Sequence, residues 1–268
     1  MTETGIERVR SADGSEIAFA RSGRGPAVIL IGGAFNDRST TTALADGLAE
    51  EFTTYRYDRR GRGDSEDRAS KVAVAREVED IAALIEHAGG EAALFGHSSG
   101  AVLALEATAA GLAVSAVVAY EPPYSVGPVA DERVASAERV VELAEAGDSD
   151  GAAAEFLRMT GAPAEVVDGM RADANTWAYL TAQAHTLPYD IAVCGSGLPA
   201  DRLGTIGVPV LVIDGGDSEE ALRAGARAAA DAVPGARYRT LPGEDHGILR
   251  DPAALVPVVA GFLGRARL

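Results

Sequence analysis

Six residues, Phe95-Gly96-His97-Ser98-Ser99-Gly100, constrain this chain more than any others. The apolar run Ala92-Ala93-Leu94-Phe95 precedes the turn, and an Ala/Leu-rich run with helical spacing follows it. A strand ending in a Gly-flanked Ser that opens a helix is a nucleophile elbow. The two glycines let strand and helix approach closely around a strained turn, and Ser98 is lifted out of the top of the sheet. The pattern G-x-S-x-G recurs by chance, so the strand before it and the helix after it carry the expectation. The plain alternative is an ordinary Gly-rich strand-to-helix turn.

The flanking pattern supports the same architecture. Residues 6–9 and 16–20 form two strands around Asp13-Gly14, a hairpin turn signal. Ala27 to Ile31 is continuously apolar, as in a parallel strand covered on both faces. A helix is expected over Thr41 to Glu50, a strand over Thr53 to Tyr57, and a helix over Val72 to His87 closed by Gly89-Gly90. After the elbow helix, which runs to about Ala110, Val114 to Tyr120 is another buried strand ended by Glu121-Pro122-Pro123. The alternation then stops, and from about Val126 to Ala192 the pattern is helical. It resumes with a strand at Val208 to Ile213, a helix at Glu219 to Val233, a strand at Arg237 to Leu241 and a helix at Ala253 to Leu263. Strands alternating with helices define an α/β fold with a mainly parallel sheet. The expected organisation is a core domain in two parts, residues 1–123 and 201–268, with a helical cap, or lid, inserted over 124–200. An insert at that point follows strands whose C-terminal ends face the ligand crevice, where lids shape the pocket and exclude water.

Composition narrows the function classes. A net charge of −16 argues against nucleic acid and against an anionic membrane surface. Arg far outnumbers Lys, Lys71 being the only lysine, and Ala and Gly are abundant, which suggests a GC-rich bacterial genome. Cys194 is alone, so no intrachain disulfide forms. Met1 to Glu7 is polar and acidic without the apolar core of a signal peptide, and no apolar run reaches membrane-spanning length, so the expected location is cytoplasmic. No Cys/His cluster has metal-ligand spacing and no Gly-rich phosphate loop occurs, so no metal and no cofactor are expected.

The order of elements, the elbow, the loop Asp58-Arg59-Arg60-Gly61-Arg62-Gly63-Asp64-Ser65 and a late Gly-x-x-His segment together resemble the α/β-hydrolase superfamily. The resemblance covers nearly the whole chain, and its motifs say little about the substrate. It implies a Ser nucleophile at Ser98 and a catalytic base at His246, in the loop Pro242-Gly243-Glu244-Asp245-His246-Gly247. Of the other histidines, His87 lies near a helix end, His97 is expected to point away from the nucleophile as a packing residue, and His185 belongs to the insert. The third member is open between two carboxylates. Glu121 sits at the end of the strand after the elbow helix, stiffened by Pro122-Pro123. Asp217 lies in the loop where such families most often place the acid, but two residues after Gly215 rather than three. Glu121 is preferred, Asp217 is the alternative acid, and Asp214 is set aside as a capping or pairing group. In length and in the spacing of Ser98, Glu121 and His246 the chain resembles the fungal lactone hydrolases that act on zearalenone.

An oxyanion hole built from backbone N–H groups is implied at Ser99, the residue after the nucleophile, and at Ala34, with Phe35 as runner-up. Family members usually carry His-Gly where this chain has Gly32-Gly33. The Asp58–Ser65 loop is expected to be structural, solvated or salt-bridged. Phe35, Trp177 and His185 are the candidate substrate-binding residues, with Tyr179, Leu187 and Tyr189 as further pocket-wall candidates.

The expected function is a Ser-dependent hydrolase of a small-molecule ester or lactone acting through an acyl-enzyme, in a monomer or homodimer. Carbon–carbon bond hydrolysis, a non-hydrolytic tailoring reaction and a small-molecule receptor on the same fold are the alternatives, because fold alone does not fix function.

Overall fold

The computed structural model describes residues 5–127, 131–195 and 197–266. Its sheet has eight strands: β1 (Glu7–Arg10), β2 (Glu16–Gly23), β3 (Ala27–Ile31), β4 (Thr53–Tyr57), β5 (Ala92–His97), β6 (Val114–Tyr120), β7 (Val210–Gly215) and β8 (Arg237–Leu241). They lie in the order β1-β2-β4-β3-β5-β6-β7-β8. The β1–β2 and β2–β4 pairings are antiparallel, and the rest are parallel. This is the α/β architecture the alternating pattern implies. Strand β7 begins at Val210 rather than Val208 because Pro209 has no N–H to give a ladder; its carbonyl still accepts from Val117 N–H at 2.9 Å.

The helices are α1 (Thr42–Leu48), α2 (Val74–His87), α3 (Ser99–Ala109), α4 (Asp131–Glu145), α5 (Ser149–Met159), α6 (Ala164–Ala172), α7 (Ala174–Gln183), α8 (Leu187–Cys194), α9 (Ala200–Leu203), α10 (Glu220–Ala232) and α11 (Val256–Arg265). Alternate residues of the central strands feed two cores, as the pleat requires. Ile29, Ile31, Leu94, Val117 and Val212 pack on the side of Ile81, Leu84 and Leu105. Val28, Leu30, Phe95, Val118 and Ile213 pack on the side of Leu44, Leu48, Val259 and Phe262. Covered on both faces, these strands can be largely apolar, and apart from His97, Ser115 and Asp214 their sequences are.

Among the described residues six helices, α4 to α9, stand between β6 and β7, and α4 to α8 make up the insert. They share a small core of Val140, Ala152, Ala153, Ala184 and Leu187, closed from below by Phe35 of the loop after β3. The six parallel strands β3 to β8 all end on one edge of the sheet, and that edge carries every loop discussed below. Among the described residues no helix is long and apolar enough to cross a membrane.

Candidate active site

The register of the central strands builds the site. His97 pairs with Tyr120, and Tyr120 with Ile213, so the next residues along, Ser98 and Glu121, emerge side by side at the sheet edge. Ser98 N–H donates to Tyr120 C=O and Glu121 N–H to Ile213 C=O, each at 2.9 Å. Among the described residues only three non-glycine residues have positive φ: Phe35 (57°), Ser98 (57°) and Glu121 (46°). Each is a sterically costly conformation that surrounding structure must hold, and such strain concentrates at functional sites.

Close approach explains two glycines. A Cβ on Gly100 would sit 2.4 Å from the Ile31 carbonyl oxygen, so α3 could not start against the end of β3. A Cβ on Gly33 would meet Ser98 Cβ at 2.8 Å. The loop after β3 therefore passes directly over the Ser98 side chain.

Glu121 is fully buried. Its Oε2 lies 2.6 Å from His246 Nδ1, and its Oε1 accepts Gly215 N–H at 2.8 Å. Asp217 lines the same cavity, but among the described residues no bond joins its carboxylate to His246; its N–H donates to Glu244 C=O at 2.9 Å. Asp214 is buried and accepts from Arg223 and from Tyr238 Oη.

Two side chains of the sheet hold the His246 loop. Tyr120 Oη donates to Asp245 C=O at 2.7 Å. His97 Nε2–H donates to His246 C=O at 2.8 Å, and the two imidazoles lie 4.7 Å apart. His97 is therefore more than the packing residue its position suggests. Burial, reinforced by neighbouring His246, pushes its imidazole down to about 3. The neutral ring carries its proton on Nε2, and Nδ1 is a buried atom without a hydrogen-bond partner among the described residues.

Ser98 and His246 line one cavity of about 800 Å³. Its floor comes from Gly33, Ala34, Phe35 and Ser99, and its far wall from Phe156, Met159, Ile191 and Cys194 of the insert. Ser99 N–H stands at the first position of α3, where a helix offers no internal acceptor. Gly33 N–H is taken by Asn36 Oδ1 at 2.9 Å, which leaves Ala34 as the first free candidate donor of that loop. Another cavity, of about 880 Å³, lies between α2, α3 and the end of α8 and holds neither Ser98 nor His246. Cys194 borders both, and burial pushes its thiol up to about 12.

Two expected wall residues are corrected. Trp177 turns outward, donating from Nε1 to Asp150 at 2.8 Å with Arg171 stacked over its ring. His185 Nε2 donates to Gly61 C=O at 2.8 Å. Neither lines the cavity of Ser98, because each amphipathic ring has a polar partner elsewhere. Tyr189 likewise donates to Asp67, Leu187 lies in the insert's core, and Tyr179 is exposed. Phe35 does line the cavity.

The charged loop after β4 exposes Gly63 and Asp64 but buries its cations in salt bridges. Arg59, Arg60 and Arg62 are all buried. Arg60 is paired with Asp80, Asp13 and Asp67. Arg59 pairs with Glu77 and Asp190, and Arg62 with Asp190, giving a balanced quartet of two cations and two anions. Burial alone would raise the Asp190 carboxyl, but Arg62 and Arg59 hold it below its ordinary range. Sequence reasoning missed Asp190, Gln183, Asn36 and Tyr120. No local pattern marks Asp190, Gln183 and Tyr120, whose partners lie up to 148 residues away, whereas Asn36 bonds Gly33 only three residues back.

The chain matches the model of the alpha/beta hydrolase family over residues 28–258. An alpha/beta hydrolase from Sphaerobacter thermophilus is 43% identical, with a TM-score of 0.87 over 96% of this chain and 100% of that one. This protein therefore belongs to the alpha/beta hydrolase family. A thermophilic esterase from Thermogutta terrifontis (19% identity, TM-score 0.75, 99% and 100% covered) and a bromoperoxidase from Bacillus anthracis (19%, 0.77, 97% and 100%) share the fold. No curated protein matches the sequence.

Proposed function

We propose that the protein is a serine-dependent hydrolase of small-molecule carboxylic esters, lactones included, acting through an acyl-enzyme. The observation that carries this reading is the 2.6 Å contact between buried Glu121 and His246 Nδ1, on the same cavity as the elbow Ser98. With Nδ1–H held by Glu121, His246 presents the bare Nε2 to the cavity as a general base. Ser98 Oγ attacks the ester carbonyl as His246 takes its proton. The N–H groups of Ala34 and Ser99 stabilise the oxyanion. His246 then protonates the leaving alcohol, and a water molecule, deprotonated by the same imidazole, releases the acid.

The insert acts as a cap in this scheme. Its Phe156, Met159 and Ile191 give the acyl or alcohol group an apolar wall and exclude water. A bromoperoxidase from Bacillus anthracis shares the fold, and fold alone does not fix the reaction.

Multiple-turnover hydrolysis of p-nitrophenyl butyrate tests the reading, together with covalent labelling by a fluorophosphonate. Ser98→Ala is expected to lose both, and peptide mapping to place the label on Ser98. A Ser98→Ala protein with wild-type turnover sinks the mechanism. Labelling without turnover points instead to a receptor that retains the triad.

A further inference from the structure

The loop after β3 has its carbonyls secured by side chains. Gly32 C=O accepts from Arg59 at 3.4 Å, Gly33 C=O from Arg62 at 2.5 Å, Phe35 C=O from Gln183 Nε2 at 2.8 Å and Asn36 C=O from Arg62 at 3.3 Å. Within the loop Gly33 N–H is taken by Asn36 Oδ1 and Asn36 N–H by Gly33 C=O, which leaves Ala34 and Phe35 as the candidate donors. Phe35 holds φ at 57°, and the Gln183 bond to its carbonyl is what resists relaxation of that turn.

The two arginines are in turn fixed by one carboxylate. Asp190 Oδ1 lies 2.7 Å from Arg59 Nη1, its Oδ2 2.7 Å from Arg62 Nη2, and Ser99 Oγ donates to Oδ1 at 2.6 Å. Asp190 therefore touches both pins of the loop and also the residue whose N–H is the second oxyanion donor. Gln183 and Asp190 are both buried, and both belong to the insert, at the end of α7 and within α8.

We propose that Gln183 and Asp190 are positioning residues for the oxyanion hole, so that the α7–α8 end of the insert is part of the catalytic frame and not a detachable lid. This rests on the ester-hydrolase reading for its catalytic consequence, but its structural content stands apart from that reading. The missing His of the usual His-Gly pair is replaced here by side chains reaching in from the insert and from the β4 loop. Loss of either residue frees the loop, and a donor displaced by about 1 Å costs on the order of 100-fold in rate.

Gln183→Met keeps length and burial and removes the donor together with an Oε1 that has no partner among the described residues; Asp190→Asn keeps shape and unbalances the arginines. For each, kcat and KM for p-nitrophenyl butyrate are measured beside amide hydrogen exchange across residues 32–36 and across β5. We expect kcat to fall about 10- to 100-fold with KM within about threefold, and exchange to accelerate in 32–36 but not in β5. If Asp190→Asn fails to fold, Gln183→Met alone decides. A folded Gln183→Met protein with wild-type exchange over 32–36, or with wild-type kcat, overturns the proposal. A wild-type protein that turns over no ester overturns the hydrolase reading instead, and the exchange comparison still decides whether the insert pins the loop.

Discussion

Glu121 offers one oxygen to His246 Nδ1 at 2.6 Å and the other to Gly215 N–H at 2.8 Å. Both oxygens are occupied and the side chain is fully buried, so the carboxylate has one orientation. The loop after β7 thus supplies a backbone donor that steers the Glu121 carboxylate, which itself comes from the end of β6. Asp217 remains on the cavity wall with its N–H committed to Glu244.

The two carboxylates should therefore separate cleanly on substitution. Glu121→Gln keeps shape but favours the wrong imidazole tautomer and is expected to lower kcat about 10⁴-fold. Asp217→Asn should leave it within about threefold. Steady-state hydrolysis of an aryl ester by both variants measures this. The opposite ranking would make Asp217 the orienting acid.

Gly33→Ala and Gly100→Ala should fail in different ways. The added methyl at Gly33 meets the Ser98 side chain at 2.8 Å, so the active site moves while the core stays intact. At Gly100 it meets backbone oxygen of β3 at 2.4 Å, which cannot step aside. Thermal melts and kcat on the same samples distinguish them. Gly33→Ala is expected to lose activity with little change in Tm, and Gly100→Ala to be destabilised by about 3 kcal/mol or more.

His97 imposes a pH dependence on stability. Its native value is about 3 against 6.5 for the free imidazole, so the unfolded chain binds the proton first. The stability of the neutral ring is fully present above pH 6.5 and is lost as pH falls toward 3, at about 1.4 kcal/mol per pH unit. His97→Gln retains a donor for the His246 carbonyl and removes this titration. Urea melts at pH 7 and pH 4.5 should show a smaller loss in the variant than in the wild type, and an equal loss would refute the assignment.

Much of the frame is legible in local pattern. The apolar runs of β3, β5, β6 and β7 mark buried strands, and the Gly-Ser-Gly turn marks the elbow, because each signal lies within a few adjacent residues. The role of Glu121 is legible only as a candidate, since its contact with His246 spans 125 residues. The Asp58–Ser65 loop is salt-bridged, one of the two outcomes its charges allow, but its partners are not legible locally: Arg59, Arg60 and Arg62 are buried because Glu77, Asp80 and Asp190 converge on them from α2 and α8. Trp177 and His185 mislead, as large polar-tipped rings satisfied outside the cavity.

By itself the sequence determines the order of strands and helices, the Ser98 turn and the helical character of the insert, all consequences of periodicity and of glycine's missing side chain. Tertiary structure alone decides which carboxylate meets His246, and which side chains hold the loop over Ser98 through Arg59, Arg62, Gln183 and Asp190. Those choices depend on strand register and on backbone angles such as the positive φ of Phe35, Ser98 and Glu121. Only contacts between distant segments can hold such conformations, and no short stretch of chain encodes them.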